Sequence, residues 1–224
     1  MSYAALAQPH PSQAPVRAGG RGIIAIVLAV WLALVSLLGA QQAFVGPEGA
    51  PPIRLVVAAA GPVIIFLAAV WLSRGFREFL LRADLRLVVG VQAWRFAGFG
   101  FLALYAQHVL PGAFAWPAGV GDMFIGLTAP LLMLALIRNP GVVASKTFVA
   151  WNVFGILDLV VALGSGALGA ALTASAASGV VATMTPMAHL PLVLIPTFLV
   201  PVFVMLHVAA LLQSRQARAL ARAR

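Results

Sequence analysis

The chain contains no cysteine and carries very little charge. Of its 224 residues only 8% are charged and only five are acidic, whereas 62% are hydrophobic. The absence of cysteine excludes disulfides, thiol catalysis and cysteine-ligated clusters. The low charge excludes an ordinary soluble domain, because such domains are typically about 25% charged. The composition therefore indicates a multi-pass membrane protein.

The formal net charge of +9 does not indicate a nucleic-acid-binding protein. The basic residues are confined almost entirely to the tails and to short connections between apolar runs. That distribution is typical of membrane topology signals and not of a basic binding face. We therefore expect the lipid bilayer as a partner and no nucleic acid.

Six apolar runs are long enough to cross a membrane as helices. A hydrocarbon core of ~30 Å requires about 20 helical residues. The runs have roughly twice the length of a membrane strand and lack its in–out alternation. We predict an all-α bundle of six transmembrane helices, with approximate ranges 22–41, 54–73, 87–108, 117–137, 147–168 and 189–212.

The basic residues also predict the orientation. If every run spans, one side receives both tails and the connections after the second and fourth runs, and these segments are rich in arginine. The opposite side holds only Arg54. The positive-inside rule then places both termini in the cytoplasm. We expect a bacterial inner-membrane protein.

The two ends of the chain differ in composition from the bundle. Residues 1–21 mix Pro, Gln, Ser and Gly without apolar periodicity, which predicts a disordered tail. Residues 213–224 form a basic tail that can extend the last helix towards anionic headgroups. An alternative interpretation treats the first run as a signal peptide, with residues 1–40 cleaved. The run is long for that function, and "LLGAQQA" is a poor cleavage site.

Three charged residues interrupt the predicted spans: Arg95 in the third, Asp122 in the fourth and Asp158 in the fifth. A charge at the centre of a spanning helix costs ~2.5–3.5 kcal/mol on insertion scales, so such residues usually face the bundle and find partners. At ~1.5 Å per residue, Arg95 and Asp158 lie roughly 12 and 16 Å from the predicted cytoplasmic side, and Asp122 roughly 22 Å. We expect Arg95 to pair with Asp158, and Asp122 to lie within its reach if the third helix tilts.

Further residues are expected beside these charges. Gln92 lies on the same face of the third helix as Arg95, one turn nearer the cytoplasm. Asp122 lies in a stripe of small residues that lets helices approach closely. The sequence therefore predicts a buried polar site formed by Arg95, Asp122, Asp158 and Gln92. Asn152 falls on a different face of the fifth helix from Asp158, so it is expected outside the site.

The histidines suggest a different kind of site. His108 and His189 lie at the outer ends of the third and sixth predicted helices, at similar depth, a placement that suits two ligands of one bridged metal or haem. His207 lies near the cytoplasmic end, and no second histidine accompanies it. Interfacial histidines are more often solvated or hydrogen-bonded. We therefore predict no cofactor, with a haem or metal electron-transfer protein as a lesser alternative.

No catalytic motif accompanies the spans. The sequence lacks H-E-x-x-H, a paired-glutamate motif and a phosphate loop. Ser165 and His207 lie towards opposite ends of their helices, too far apart to act as nucleophile and base. An enzyme is therefore not the favoured interpretation. Prolines break the sixth run, as is common where transporters bind ligands, although kinks are also ordinary in membrane proteins.

Two interpretations of the buried charges remain open. In the first, Arg95 holds an anionic group or tunes an aspartate, and the unpaired aspartate accepts and releases a proton. The protein then binds or moves a small solute or proton, working as a homodimer. In the second, the ion pair only fixes helix register within a non-catalytic scaffold or accessory subunit.

Overall fold

A computed structural model describes residues 18–46, 51–175 and 182–223, and every regular element within these ranges is helical. Six of the helices are long and apolar enough to span a membrane, which confirms the prediction of an all-helical chain with six helices of that length and composition. Residues 1–17 of the predicted disordered tail lie outside the described residues, and residues 18–21, which were also predicted to be disordered, belong to the first helix. The helices are α1 (Ala18–Ala40), α2 (Ile53–Leu72), α3 (Arg74–Leu81), α4 (Leu85–Ala106), α5 (Gly112–Arg138), α6 (Lys146–Ser175) and α7 (Ile195–Arg222).

Two spans begin five or more residues away from their predicted starts. α5 begins at Gly112 instead of 117, because Phe114 and Ala115 are buried in the core and this packing outweighs the weak helix propensity of the segment. α7 begins at Ile195 instead of 189, and residues 190–193 form turns. Pro191 and Pro196 lack the N–H that a helix would need there.

Two of the spans are not uniformly α-helical. The middle of α4, Val91–Gly98, is a 3₁₀-helix, and the first turn of α7, Ile195–Leu199, is a π-helix. A 3₁₀-helix has 3.0 residues per turn, so residues three apart stand in one line. Gln92, Arg95 and Gly98 form such a line, and all three are buried.

The cores of the bundle lie on either side of this line of residues. Towards one end, Phe101, Leu110 and Phe114 pack with residues before α7. Towards the other, Val89 of α4 and Phe148 of α6 pack with Ala210 of α7. Gln92 and Arg95 of α4 therefore lie between two apolar cores, on the side of α4 that faces α5, α6 and α7.

The predicted basic connections and the end of α7 meet at one end of the bundle. Gln213 donates hydrogen bonds to the carbonyls of Leu80 and Ala83, both 3.0 Å long. Arg218 donates to the carbonyls of Ala144 and Ser145, at 2.9 and 2.8 Å. α7 therefore joins the connection after α3 to the connection between α5 and α6.

We predict that Arg218→Ala destabilises the protein and that Arg222→Ala does not. The Arg218 guanidinium satisfies two carbonyls, and hydrogen bonds from charged groups contribute roughly 1.5–3 kcal/mol. Arg222 is exposed at the end of the same helix. Thermal unfolding of both purified variants in one detergent measures the difference. Equal midpoints for the two variants would contradict this role of Arg218.

Candidate functional site

Arg95 is the centre of a polar cluster buried between the helices. Its Nε donates to Asp122 Oδ1 at 2.7 Å, and its Nη2 forms an ion pair with Asp158 Oδ2. Its Nη1 donates to the carbonyl of Gly155 at 3.2 Å and lies 3.1 Å from His207 Nε2. Every nitrogen of the guanidinium therefore has a partner, and its side chain is 0% exposed.

Asn152 holds the His207 ring in place. Asn152 Nδ2 donates to the carbonyl of Phe148 at 2.8 Å, which leaves Asn152 Oδ1 2.9 Å from His207 Nδ1. An amide oxygen only accepts, so the Nδ1 atom carries the hydrogen of this bond. The other ring nitrogen of a neutral imidazole is an acceptor, which suits the Arg95 N–H that faces it. The network is therefore satisfied by one tautomer of a neutral His207.

Gln92 lies beside the cluster and joins α4 to α7. Its Nε2 donates to the carbonyl of Phe203 at 3.2 Å. Its Oε1 is buried and has no hydrogen-bond partner among the residues that the structure describes. Gln92 thus contributes a contact between helices rather than a direct bond to Arg95, Asp122 or Asp158.

Glycines let the helices approach closely around the cluster. A Cβ built on Gly98 would overlap Asp122, one on Gly121 would overlap Asp158, and one on Gly155 would overlap the ring of His207. These three glycines lie on α4, α5 and α6. Each charged or polar partner of Arg95 therefore packs against a backbone that has no side chain to displace it.

A cavity of about 180 Å³ lies between α4 and α7 and reaches the cluster. Asp122 is its one acidic lining residue, and the walls are otherwise mostly apolar. The 3₁₀ segment of α4 lines one side and the π turn of α7 lines the other. Irregular backbone at membrane depth is tolerated where it lines a cavity, and π turns are frequent at functional sites.

The structure brings three of the four expected site residues into direct contact. Arg95 bonds to both Asp122 and Asp158. The first interpretation of the sequence requires one unpaired aspartate, and the structure shows both aspartates paired. His207 and Asn152, which were expected outside the site, belong to it. Both lie five residues inside the predicted ends of their helices, about 8 Å deep, and this equal depth was the available signal.

His108 and His189 are not part of the cluster around Arg95. His108 is exposed in the turn after α4, with a φ of 58°, and His189 is half-buried directly after the short 3₁₀-helix Thr185–Ala188. Neither therefore lies inside a span, because α4 ends at Ala106 and α7 begins at Ile195. Within the described ranges, no group of three or more His, Asp or Glu side chains is arranged to hold a metal ion.

We predict that Gly155→Ala destabilises the protein, whereas Gly164→Ala on the same helix does not. The added methyl group at Gly155 meets the His207 ring, and such overpacking typically costs about 1–3 kcal/mol. A methyl group at Gly164 meets nothing within 4 Å. The two thermal unfolding midpoints measure the contrast, and an unchanged midpoint for Gly155→Ala would show that His207 is not held against α6.

Comparisons with known proteins identify a family but no activity. No curated protein and no solved structure is detectably similar to the chain. A family model matches residues 52–214, a range that contains the whole polar cluster and the spans α2 and α4 to α6. The chain therefore belongs to the family described as a domain of unknown function, DUF8737.

Proposed function

We propose that this protein, in a bacterial inner membrane, moves a proton, or a small solute together with a proton, through the polar site centred on Arg95. The observation that carries the proposal is the position of Asp122. One of its oxygens is bonded to Arg95, while the residue lines the cavity between α4 and α7. Its side chain is 14% exposed, against 7% for Asp158, which is not among the lining residues.

The charges of the cluster support proton exchange. One arginine and two aspartates give a net charge of −1 if all three ionise, and His207 accepts a hydrogen bond as a neutral ring. A surplus charge is costly inside a membrane-spanning bundle. A proton on Asp122 would leave a neutral cluster in which Arg95 still pairs with Asp158. Binding and release of that proton would therefore change the charge of the site without dismantling it.

In this proposal Arg95 does not hold an anionic group, which is one of the roles expected from the sequence. An arginine that holds an anionic solute must present free N–H groups to it. The Arg95 side chain is 0% exposed, and its three nitrogens are bonded to protein groups. Arg95 therefore positions the two carboxylates, and Asp122 is the group that meets the solute or proton.

A specific observation also favours the structural alternative. Because every nitrogen of Arg95 is paired within the protein, the cluster has the form of a closed ion-pair network that fixes helix register. In that case the protein would be a non-catalytic scaffold or accessory subunit. Removing one partner of a buried pair typically costs 3–5 kcal/mol, whereas replacing the whole network by well-packed apolar groups of similar volume is often neutral or stabilising.

The first experiment measures proton movement through Asp122. Purified protein in vesicles with a trapped pH-sensitive dye is given a pH gradient, with the membrane voltage clamped by potassium and valinomycin. We expect wild-type vesicles to dissipate the gradient faster than empty vesicles, and Asp122→Asn vesicles to match the empty ones. Glu78→Gln removes an exposed carboxylate and should behave as wild type. Equal rates for wild type and Asp122→Asn would contradict the proposal.

A second experiment separates function from scaffolding. We expect Arg95→Leu alone to destabilise the fold strongly, because it leaves two buried carboxylates unpaired. The triple variant Arg95→Leu, Asp122→Asn, Asp158→Asn should recover most of the stability and none of the proton flux. A triple variant that matches wild type in both thermal unfolding and flux would support the scaffold and contradict transport.

A further inference from the structure

We infer that the cavity between α4 and α7 binds an amphipathic organic cation, a protonated amine on an apolar ring-sized body, with the ammonium group against Asp122. This inference rests on the proposed function, because it names the class of solute that the same site takes. Four properties of the cavity support it: its accessible charge, the composition of its walls, its size and the position of its opening.

When Asp122 has released its proton, the accessible charge in the cavity is negative. Arg95 lines the cavity, but its side chain is 0% exposed and its nitrogens are occupied. Asp122 is 14% exposed, and only its Oδ1 has a hydrogen-bond partner in the described part of the chain. A carboxylate oxygen only accepts hydrogen bonds. The cluster therefore offers an entering molecule a negative acceptor, which an ammonium group matches and a carboxylate or phosphate does not.

The walls suit an apolar and aromatic body. Aliphatic lining residues include Leu159, Ile195 and Leu199, and the aromatic ones are Trp94, Phe101 and Phe203. Aromatic faces attract cations, and the attraction grows where water is excluded. Apart from Asp122 and Arg95, no lining residue carries a charge. The head of the molecule is therefore expected at Asp122 and the remainder along the apolar walls.

The size of the cavity limits the body to about one ring. A dry cavity of roughly 150 Å³ lined by aliphatic and aromatic side chains accommodates benzene. The present cavity has about 180 Å³, enough for a benzene ring with a short aminoalkyl chain. Drug-sized molecules occupy larger sites of ~300–1,000 Å³, so only part of such a molecule would lie inside this cavity.

The opening of the cavity lies on the apolar outer surface of the helices. Trp94 lines it and is 77% exposed, and Leu199 on the opposite side is also exposed. Both residues lie within spans, on a surface that contacts lipid when the helices cross a bilayer. A molecule that partitions into lipid through its apolar body can enter there.

A set of three matched probes tests the class of ligand. 2-Phenylethylammonium, 2-phenylethanol and phenylacetate share one ring and differ in the charge of the head. Binding is measured by equilibrium dialysis with protein in phosphatidylcholine nanodiscs, and empty nanodiscs correct for partition into lipid. We expect the ammonium probe to bind about tenfold or more tightly than the alcohol, since a charge-assisted bond is roughly twice as strong as a neutral one. Phenylacetate should bind no more than to empty nanodiscs.

Two pairs of variants locate the binding. Asp122→Asn should weaken binding of the ammonium probe about tenfold or more, and Glu78→Gln should leave its affinity unchanged. Gly100 lines the cavity, and a Cβ there has no neighbouring atom within 4 Å, so we expect the larger side chain of Gly100→Leu to take up space at the cavity wall. It should abolish binding, whereas Gly164→Leu, which points into open space away from the cavity, should not. The Gly100 pair keeps the test informative if Asp122→Asn fails to fold.

The inference is overturned if phenylacetate binds as tightly as the ammonium probe, if the alcohol matches the ammonium probe, if nothing binds, or if Gly100→Leu binds normally. These failures differ from failure of the proposed function. Proton flux that depends on Asp122 without ammonium binding would leave proton movement intact and remove this class of solute. Ammonium binding without such flux would leave a binding site and remove transport.

Discussion

The structure depends on keeping one positive charge inside a bundle of apolar helices. An arginine at this depth is tolerated only when its charge and its donors are met by protein groups. Asp122, Asp158, His207 and the Gly155 carbonyl meet them from α5, α6 and α7. The positions of four spans are therefore linked through one side chain, and the polar network sits between two apolar cores.

Local backbone geometry makes this arrangement possible. The 3₁₀ segment of α4 aligns Gln92, Arg95 and Gly98, so one polar line faces the neighbouring helices. Gly121 and Gly155 then let α5 and α6 approach without displacing Asp158 or His207. On the side of α7 the π turn departs from regular helix, and the cavity remains between these two irregular segments. Packing is tight where the charges are paired and open where Asp122 meets the cavity.

The sequence predicts the parts that depend on hydropathy and depth. Runs of about 20 apolar residues locate the six spans, and counting residues brings Arg95 and Asp158 to compatible depths. It does not predict the start of α7, where prolines delay the helix. The sequence also misplaces Asn152 and His207. A helical wheel shows which residues of one helix share a face, but it does not show that a second face also packs against a neighbouring helix. α6 meets α4 through Asp158 and α7 through Asn152, so two of its faces contribute to the polar cluster.

The central claim is that Asp122 exchanges a proton with the cavity while Arg95 stays paired with Asp158. Infrared difference spectroscopy of the purified protein between neutral and acidic pH tests it most directly, because a newly protonated carboxyl group has its own carbonyl band. The account predicts a band that is present in wild type and in Glu78→Gln and missing in Asp122→Asn. The same carbonyl band in wild type and in Asp122→Asn, or no such band in wild type, would contradict it.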